Sequence, residues 1–350
     1  MAPGQIVRID LRTGKIESEF IKTRGLYNDF DFCDAKAVQV QIESLIDAAV
    51  QKRLTGLKSP VVMFSGGIDS SVVAMACKEI GGGVLMTLKQ PAPWLNDEPF
   101  AKKEARRLDL PLVFARPWRD FDQKIAVALA KLDQPLALPS YFITSLLTME
   151  AKHFGNVIIT GDGGDEIFFG YRPFGDWVRR VDDPEPTTES IPCGAPFQFP
   201  LSDYGIRQSS VDLVGHAFVK VDKATAENQM EARCPLVDRQ LVAFIRSIPI
   251  EHWHRTLNIP KAPLVSYLLA RGVPRETVFR KKIGTAWPFR YRMAQSYPRM
   301  IRELEVVRQQ LNVLGIQLSK WSRLTAFRNF DRFWKEYVLA KYLVRVIAAE

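Results

Sequence analysis

Short apolar runs alternate with amphipathic stretches through the first half of the chain. The apolar runs have the length of buried strands and lie at 60–64, 84–88, 112–116 and 156–160. The stretches before and between them repeat apolar residues every three or four positions, which predicts helices at 34–54, 69–80, 97–109, 120–131 and 140–154. Strands that alternate with helices are typical of a parallel sheet covered on both faces, so we predict a doubly wound α/β fold.

The pattern differs at the two ends of this region. Before it, residues 5–11 predict one short strand, followed by a turn at 12–15. After it comes a stretch rich in proline, and beyond about residue 205 the pattern is mostly helical. We therefore divide the chain into an N-terminal strand and linker (1–34), an α/β core (35–181), a proline-rich connector (182–204) and a mostly helical C-terminal part (205–350).

The first strand of the core runs into a turn that reads Ser-Gly-Gly-Ile-Asp-Ser, at 65–70, and then into a helix. Glycines allow the backbone to aim N–H groups at an anion, and the helix adds its positive end at the same place. The residues expected to contact phosphate are Ser65, Gly66, Gly67 and Ser70. Asp69 offers a carboxylate suited to Mg²⁺. The turn lacks the lysine of a Walker A loop, so it fits enzymes that cleave ATP to AMP rather than γ-phosphate transferases.

A second turn, Gly-Asp-Gly-Gly-Asp-Glu at 161–166, follows the fourth strand of the core. Three clustered carboxylates repel one another unless a cation compensates them. Because ligands of parallel sheets bind at the carboxyl ends of the strands, we expect the two turns to lie together. On this interpretation Asp69 and Asp165 share Mg²⁺ bound to a triphosphate, and Asp162 faces the pocket of a second substrate. The alternative is an ordinary solvated acidic turn.

Composition limits the possible environments and partners. The net charge of +9 favours polyanionic ligands, nucleotides included, although we do not expect a nucleic-acid partner. Four scattered cysteines without a CxxC pair favour reduced thiols and no zinc site. The sequence shows neither a membrane-spanning stretch nor a signal peptide, so we expect a cytoplasmic protein.

Taken together, the two turns resemble the asparagine synthetase-like family of ATP pyrophosphatases. That family carries SGGxDSS at one strand end and SGxGxDExFxGY at another, and the matching segments here are 65–71 and 160–171. Further stretches that agree with the family are 220–225, 231–238 and 280–284, where the family has a loop of the form RxKxG. The resemblance covers most of residues 35–340. It implies an adenine nucleotide alpha-hydrolase-like fold for the core.

The resemblance also implies a reaction, with ATP and Mg²⁺ as cofactors. In the family, ATP adenylylates the carboxylate of a small molecule and releases pyrophosphate, after which ammonia or another amine displaces AMP to form an amide. The positions that match the nucleotide-lining residues of the family are Met63, Thr87, Leu88, Thr160 and Gly161. Lys282 matches a lysine that steadies developing charge. Asp162 stands where asparagine synthetases usually have Glu; it is a candidate general base, and its shorter side chain casts doubt on aspartate as the acceptor.

Several alternatives remain open at this point. The chain is also compatible with a specialised amide ligase for another metabolite, sugar, peptide or nucleotide, with a non-catalytic subunit, or with a tRNA-modifying enzyme. The basic stretch 271–292 is either part of the site or a solvated surface. Glu231, Arg233 and Asp238 form either a structural ion-pair cluster or substrate contacts. For Asp97 and Glu98 we prefer helix capping, and for the aromatic residues at 287–291 core packing over base stacking.

The N-terminal region bears on the nitrogen source. Full-length asparagine synthetases begin with a glutaminase domain whose nucleophile is an N-terminal Cys, whereas position 2 here is Ala2. The segment 1–34 resembles the last strand and linker of such a domain. We therefore expect either direct use of ammonia or a separate glutaminase that docks near an unpaired N-terminal strand.

Overall fold

The computed structural model describes residues 5–20, 27, 30–89, 98–116, 118–170, 190–191, 195–196, 218–248, 259–280, 286–313 and 315–347. At the N-terminus, β1 (Gln5–Ile9) pairs antiparallel with β2 (Ile16–Phe20). The turn between them closes with the Asp10 N–H donating to the carbonyl of Lys15 at 2.9 Å. The expectation of a single strand without a partner was therefore wrong, because the hairpin supplies a second strand that sequence periodicity did not reveal.

A sheet of five parallel strands forms the centre of the fold. Its strands are β3 (Val61–Met63), β4 (Val84–Leu88), β5 (Leu112–Ala115), β6 (Val157–Ile159) and β9 (Glu231–Arg233). Two further short strands, β7 (Ser190–Ile191) and β8 (Ala195–Pro196), pair antiparallel within the predicted connector. The rest of that connector lies outside the described residues, and the domain boundaries remain predictions.

The order of the strands across the sheet, β5-β4-β3-β6-β9, defines where a ligand can bind. The chain moves from β3 through β4 to β5, then returns to place β6 on the other side of β3. The connections that leave β3 and β6 therefore run in opposite directions, and a crevice opens beyond the carboxyl ends of these two strands. Both glycine-rich turns begin at this crevice.

The fifth strand, β9, was not predicted. It contains two charged residues in three positions, a composition that does not indicate a strand. Its backbone pairs with β6, and the Thr160 N–H donates to the carbonyl of Arg233 at 3.0 Å just beyond the paired residues. Tertiary pairing, and not local preference, makes this segment extended.

Helices surround the sheet, and the described part of the C-terminal region is mostly helical, as predicted. They are α1 (Ala35–Leu54), α2 (Ile68–Ile80), α3 (Glu98–Leu108), α4 (Phe121–Lys131), α5 (Pro139–Ala151), α6 (Gly164–Ile167), α7 (Val219–Ala226), α8 (Arg239–Ser247), α9 (Ala262–Ala270), α10 (Arg275–Val278), α11 (Ala286–Ala294), α12 (Tyr297–Val313), α13 (Arg323–Arg328) and α14 (Phe330–Ile347). Asp34 caps α1 by accepting the N–H groups of Lys36 and Ala37.

Alternate residues of the central strands point to two separate cores, which confirms the doubly wound fold. Val62 and Ile159 face a core built by α1, α2, α3, α8, α9 and α10. Their neighbours Val61 and Ile158 face the other core, built mainly by α4, α5, α11, α12 and α14. Phe289 is fully buried in this second core, with its ring 5.3 Å from that of Trp334. Its role is therefore packing, as preferred above.

The helices and cysteines of the described residues bear on membrane insertion and on the state of the thiols. Within these ranges no helix combines the length and apolarity needed to span a membrane. Cys33, Cys77 and Cys234 are free thiols.

Candidate functional site

The first turn is shaped by glycine and closed by serine hydroxyls. Gly66 adopts φ +66°, a conformation that favours glycine, and turns the chain from β3 into α2. The Ser70 hydroxyl accepts the Ser65 N–H at 3.2 Å and donates to the carbonyl of Gly67 at 3.1 Å. Gly67 is the N-cap of α2 and provides no side-chain cap. The first N–H groups of α2 therefore receive no hydrogen bond from an N-cap side chain, an arrangement compatible with the predicted anion site.

The second turn packs directly against the first, and this contact explains why it is rich in glycine. A Cβ on Gly161 would lie 2.8 Å from the carbonyl carbon of Asp69 and 2.9 Å from the N atom of Ser70. A Cβ on Gly164 would overlap the Asp69 carboxyl group, and one on Gly170 would overlap the Asp165 carboxyl group. Because glycine has no Cβ, the backbone of the second turn can approach Asp69 and Ser70 this closely. The two turns therefore lie together at the crevice.

A buried lysine joins the two carboxylates that the sequence assigns to metal. The Nζ atom of Lys261 lies 2.8 and 2.6 Å from the two carboxylate oxygens of Asp69, and 2.7 Å from Oδ1 of Asp165. Lys261 is only 8% exposed and precedes α9 in a left-handed conformation with φ 57°. Burial lowers the pKa of this lysine, but the charges of Asp69 and Asp165 outweigh that effect and raise it.

Sequence reasoning did not find Lys261. It lies in no motif considered above, and the available signal was indirect: a lysine directly before an apolar helix, in a chain whose paired carboxylates need a positive partner. The distance along the chain between this lysine and the first turn hides the contact. Only the packing of α9 against α2 brings them together.

Asp162, the candidate base, also forms an ion pair with a lysine. Its Oδ1 lies 2.5 Å from the Nζ of Lys220, the second residue of α7. Its backbone N–H donates to the hydroxyl of Thr160 at 3.3 Å. The Thr160 hydroxyl also lies 3.4 Å from the Sγ of Cys234, whose pKa burial raises to about 11. Asp162 is therefore held at the carboxyl ends of β6 and β9.

The residues predicted to lie near adenine are at the carboxyl ends of neighbouring strands. Met63 is the last residue of β3, while Thr87 and Leu88 end β4 and are 8% and 6% exposed. Beyond β4, Lys89 forms an ion pair with Glu98 at 2.6 Å. Glu98 begins α3, where the positive end of the helix stabilises a carboxylate. Its interactions with Lys89 and with the helix end are therefore structural. Asp97, included in the capping prediction, lies outside the described residues.

The basic segment before α11 reaches the first turn through Arg280. Its guanidinium donates to the carbonyls of Ser65 and Gly66 at 3.3 and 3.2 Å, and it lies over the ring of Phe100 at 4.6 Å. This part of the basic stretch therefore contacts the site. Lys282, the predicted catalytic lysine, lies outside the described residues, and its role remains a prediction.

The acidic and basic residues around β9 form an ion-pair cluster. Arg233 contacts Glu231 at 2.7 Å and donates to the backbone carbonyl of Arg53 at 2.6 Å. Asp238 pairs with Arg53 and caps α8 by accepting the N–H of Gln240. Burial raises the pKa of Asp238, but hydrogen bonds from Arg53 and from the backbone of Gln240 outweigh that effect. The pKa of Asp238 is therefore lowered overall. These contacts agree with the structural alternative given above.

The carboxylates of Asp69 and Asp165 suit a divalent cation. They come from separate turns, yet three of their oxygens converge within 2.6–2.8 Å of one nitrogen atom. In the part of the chain that the structure describes, no cluster of three or more His, Cys, Asp and Glu forms a complete metal site. Mg²⁺ normally takes one or two carboxylates and completes its shell with water and substrate phosphates, so this pair is a ligand set of the usual size for that ion.

The fold and the paired turns define a class: an α/β protein with an anion-binding turn and an acidic turn at one topological switch point. A family model described as asparagine synthase matches residues 41–206 and 200–314. These ranges cover most of the chain, which therefore belongs to the asparagine synthase family.

Individual relatives are distant and longer. The chain is 24% identical to an asparagine synthetase (glutamine-hydrolyzing) of Gallus gallus over 269 residues, which covers 71% of this chain and 43% of that protein. It is 25% identical to the enzyme of the same name from Homo sapiens over 321 residues, covering 80% and 51%. The chain thus spans about half the length of the curated relatives it matches.

Solved structures also match the chain. An NH3-dependent NAD synthetase from Campylobacter jejuni, in complex with the nitrate ion, is 14% identical and covers 63% of this chain and 95% of that chain, with a TM-score of 0.27. A TM-score this low gives no information about the site.

Proposed function

We propose that this protein is an ATP-dependent synthetase that activates a carboxylate as its adenylate and converts it to an amide. The observation that carries the proposal is the meeting of the two turns at the crevice between β3 and β6. There the carboxylates of Asp69 and Asp165 converge beside the N-terminus of α2. Membership of the asparagine synthase family supports the same reaction class.

Each step can be assigned to residues of this chain. The N–H groups and hydroxyls of the 65–70 turn hold the departing pyrophosphate. Asp69 and Asp165 would hold Mg²⁺, which would neutralise phosphate charge. An oxygen of the substrate carboxylate attacks the α-phosphorus of ATP, and the bond to pyrophosphate breaks. The amine nitrogen then attacks the acyl carbon, AMP leaves with the bonding pair, and Asp162 accepts the proton lost by the amine.

Two further roles complete the proposal. Lys282 stabilises negative charge that develops during transfer, and its place in the chain supports this role because Arg280, two residues earlier, contacts the first turn. Met63, Thr87, Leu88, Thr160 and Gly161 line the nucleotide. Met63, Thr87 and Leu88 end β3 and β4, whereas Thr160 and Gly161 follow β6, all at the carboxyl edge of the sheet.

The acceptor is a carboxylic acid other than, or in addition to, aspartate. Asp162 is one methylene shorter than the Glu usual in asparagine synthetases, and Lys220 holds it at 2.5 Å. This pair supports a specialised amide ligase as the second candidate function. A non-catalytic subunit is disfavoured, since it has no need to keep an anion-binding turn and two carboxylates together at the carboxyl edge of the sheet.

Pyrophosphate release tests the proposal directly. Purified protein is assayed with Mg²⁺, ATP and a panel of carboxylic acids, each with ammonium, glutamine or simple amines as donor. We expect pyrophosphate and AMP to form in equal amounts with at least one acid. Activity with ammonium alone argues for direct use of ammonia, whereas a requirement for an added glutaminase argues for a partner. Absence of AMP formation with every acid contradicts the proposal.

The substitution Asp165→Asn provides the matched variant. It removes one of the two carboxylates proposed to hold Mg²⁺, so pyrophosphate formation should fall by about 100-fold or more, in line with the loss of charge stabilisation in a transition state. Asp133→Asn is the control, because Asp133 also pairs with a lysine, Lys223, but is largely exposed and belongs to neither turn. Near-normal pyrophosphate formation by Asp165→Asn contradicts the metal assignment.

A further inference from the structure

Lys261 occupies the position where the two proposed metal ligands converge. Its ammonium group has three donors, and three carboxylate oxygens, two from Asp69 and one from Asp165, lie within 2.6–2.8 Å of Nζ. The side chain is almost fully buried. A lysine in this place is the positive partner that allows two carboxylates from separate turns to lie side by side.

The surroundings fix the stem of this lysine as well as its charge. A Cβ at Gly170 would overlap both the Cε of Lys261 and the carboxyl group of Asp165. The backbone at Gly170, shortly after the second turn, therefore packs against the lysine stem. The contact places Lys261 and both carboxylates in one tightly packed group that spans α9 and the two turns.

An ammonium and a divalent cation compete for these oxygens. Mg²⁺ needs carboxylate oxygens at 2.0–2.1 Å, so its centre would lie within a few ångströms of the Nζ that contacts the same oxygens. Two positive charges at that separation repel each other strongly in a partly buried site. Binding of the metal at Asp69 and Asp165 is therefore favoured when the ammonium moves away.

We propose that Lys261 is a resident counter-cation that keeps Asp69 and Asp165 closed against free divalent metal and gives way only when metal arrives with a polyphosphate. The inference rests on the proposed function, because it takes these two carboxylates as the metal ligands. The phosphates supply new acceptors for the displaced ammonium, which a flexible four-carbon stem can reach. Metal and nucleotide then bind together, and free Mg²⁺ alone binds weakly.

The test measures binding of metal without catalysis. Thermal unfolding of the wild type and of Lys261→Met is followed with increasing Mg²⁺ in the absence of nucleotide. Without metal, Lys261→Met should unfold at a lower temperature than the wild type, because its two carboxylates lose the positive charge that lies between them. Added Mg²⁺ should raise the midpoint of the variant in a saturable manner, while the wild type should respond only to Mg²⁺ and a non-hydrolysable ATP analogue together.

Two controls identify the site of the effect. Lys220→Met removes a lysine that pairs with Asp162 and should show no rise with Mg²⁺ alone. In the double variant Lys261→Met, Asp165→Asn, the rise seen in Lys261→Met should disappear. Persistence of the rise in the double variant overturns the proposal, since the metal would then bind elsewhere.

A direct measurement covers the case in which Lys261→Met does not fold. Binding of Mn²⁺ to the wild type is followed by paramagnetic resonance without nucleotide and with the ATP analogue. After subtraction of Mn²⁺ held by the free analogue, the analogue should tighten Mn²⁺ binding to the protein by roughly tenfold or more, a coupling of ordinary size for two linked ligands. Equal Mn²⁺ affinity with and without the analogue overturns the proposal. Because no turnover is measured, this result is independent of whether any acid supports pyrophosphate release.

Discussion

The contact between the two turns can be tested by adding one methyl group at Gly161. A Cβ there would meet the carbonyl carbon and Cβ of Asp69 and the N atom of Ser70 at 2.8–2.9 Å. Ordinary contact for a Cβ begins at 3.4 Å, so each of the three approaches is too short by about 0.5 Å. Two of the three atoms belong to backbone at the start of α2, and a change of side-chain rotamer cannot relieve the overlap.

The expected result of Gly161→Ala follows from this geometry. Overpacking of this kind typically costs about 1–3 kcal/mol of unfolding free energy. The turns should separate by a few tenths of an ångström or more, which shifts Asp69 relative to Asp165. Because displacements near 1 Å at a reacting centre can cost about 100-fold in rate, we expect pyrophosphate release to fall by roughly 10- to 100-fold.

A second glycine provides the control. A Cβ at Gly155 would meet only the carbonyl oxygen of Ser59, at 3.8 Å, an ordinary contact before the start of β6. Gly155→Ala should therefore change the unfolding free energy by no more than about 0.5 kcal/mol. Urea unfolding and pyrophosphate release of both variants are compared with the wild type. If Gly161→Ala behaves like Gly155→Ala in both assays, the two turns do not pack as described.

Three other predictions concern Lys282, Glu227 and Phe289. Lys282→Ala should slow pyrophosphate release and leave ATP affinity largely unchanged, as measured by turnover and calorimetry; an equal loss of affinity contradicts a role confined to developing charge. Burial raises the pKa of Glu227, which accepts a hydrogen bond from Tyr141 at 2.6 Å, above the ordinary 4.5. The folded chain then binds this proton more tightly, so wild-type stability falls as pH rises above that value. Glu227→Gln should therefore gain stability relative to wild type as pH rises above 4.5, measured by urea unfolding. A difference that does not change with pH contradicts this. Phe289→Ala should lose about 3–5 kcal/mol of unfolding free energy, because its ring is fully buried; a loss below about 1 kcal/mol contradicts its place in the core.

The sequence by itself determined the local elements and the residue types that the two turns carry. Strands such as Val84–Leu88 and helices such as Ala35–Leu54 were predicted nearly to their ends, because apolar period and capping are properties of neighbouring residues. The glycines, serines and carboxylates at 65–70 and 161–166 likewise indicated an anion and a cation site before any contact was known.

Contacts between distant segments were decided only by the tertiary structure. Glu231–Arg233 becomes a strand because β6 offers it a partner, and a local pattern of alternating charges could not show this. Lys261 reaches Asp69 across 192 positions of sequence, after α9 has packed against α2. A buried charge depends on the field of groups brought together by folding, so the lysine that compensates the two carboxylates was visible only once the chain was folded.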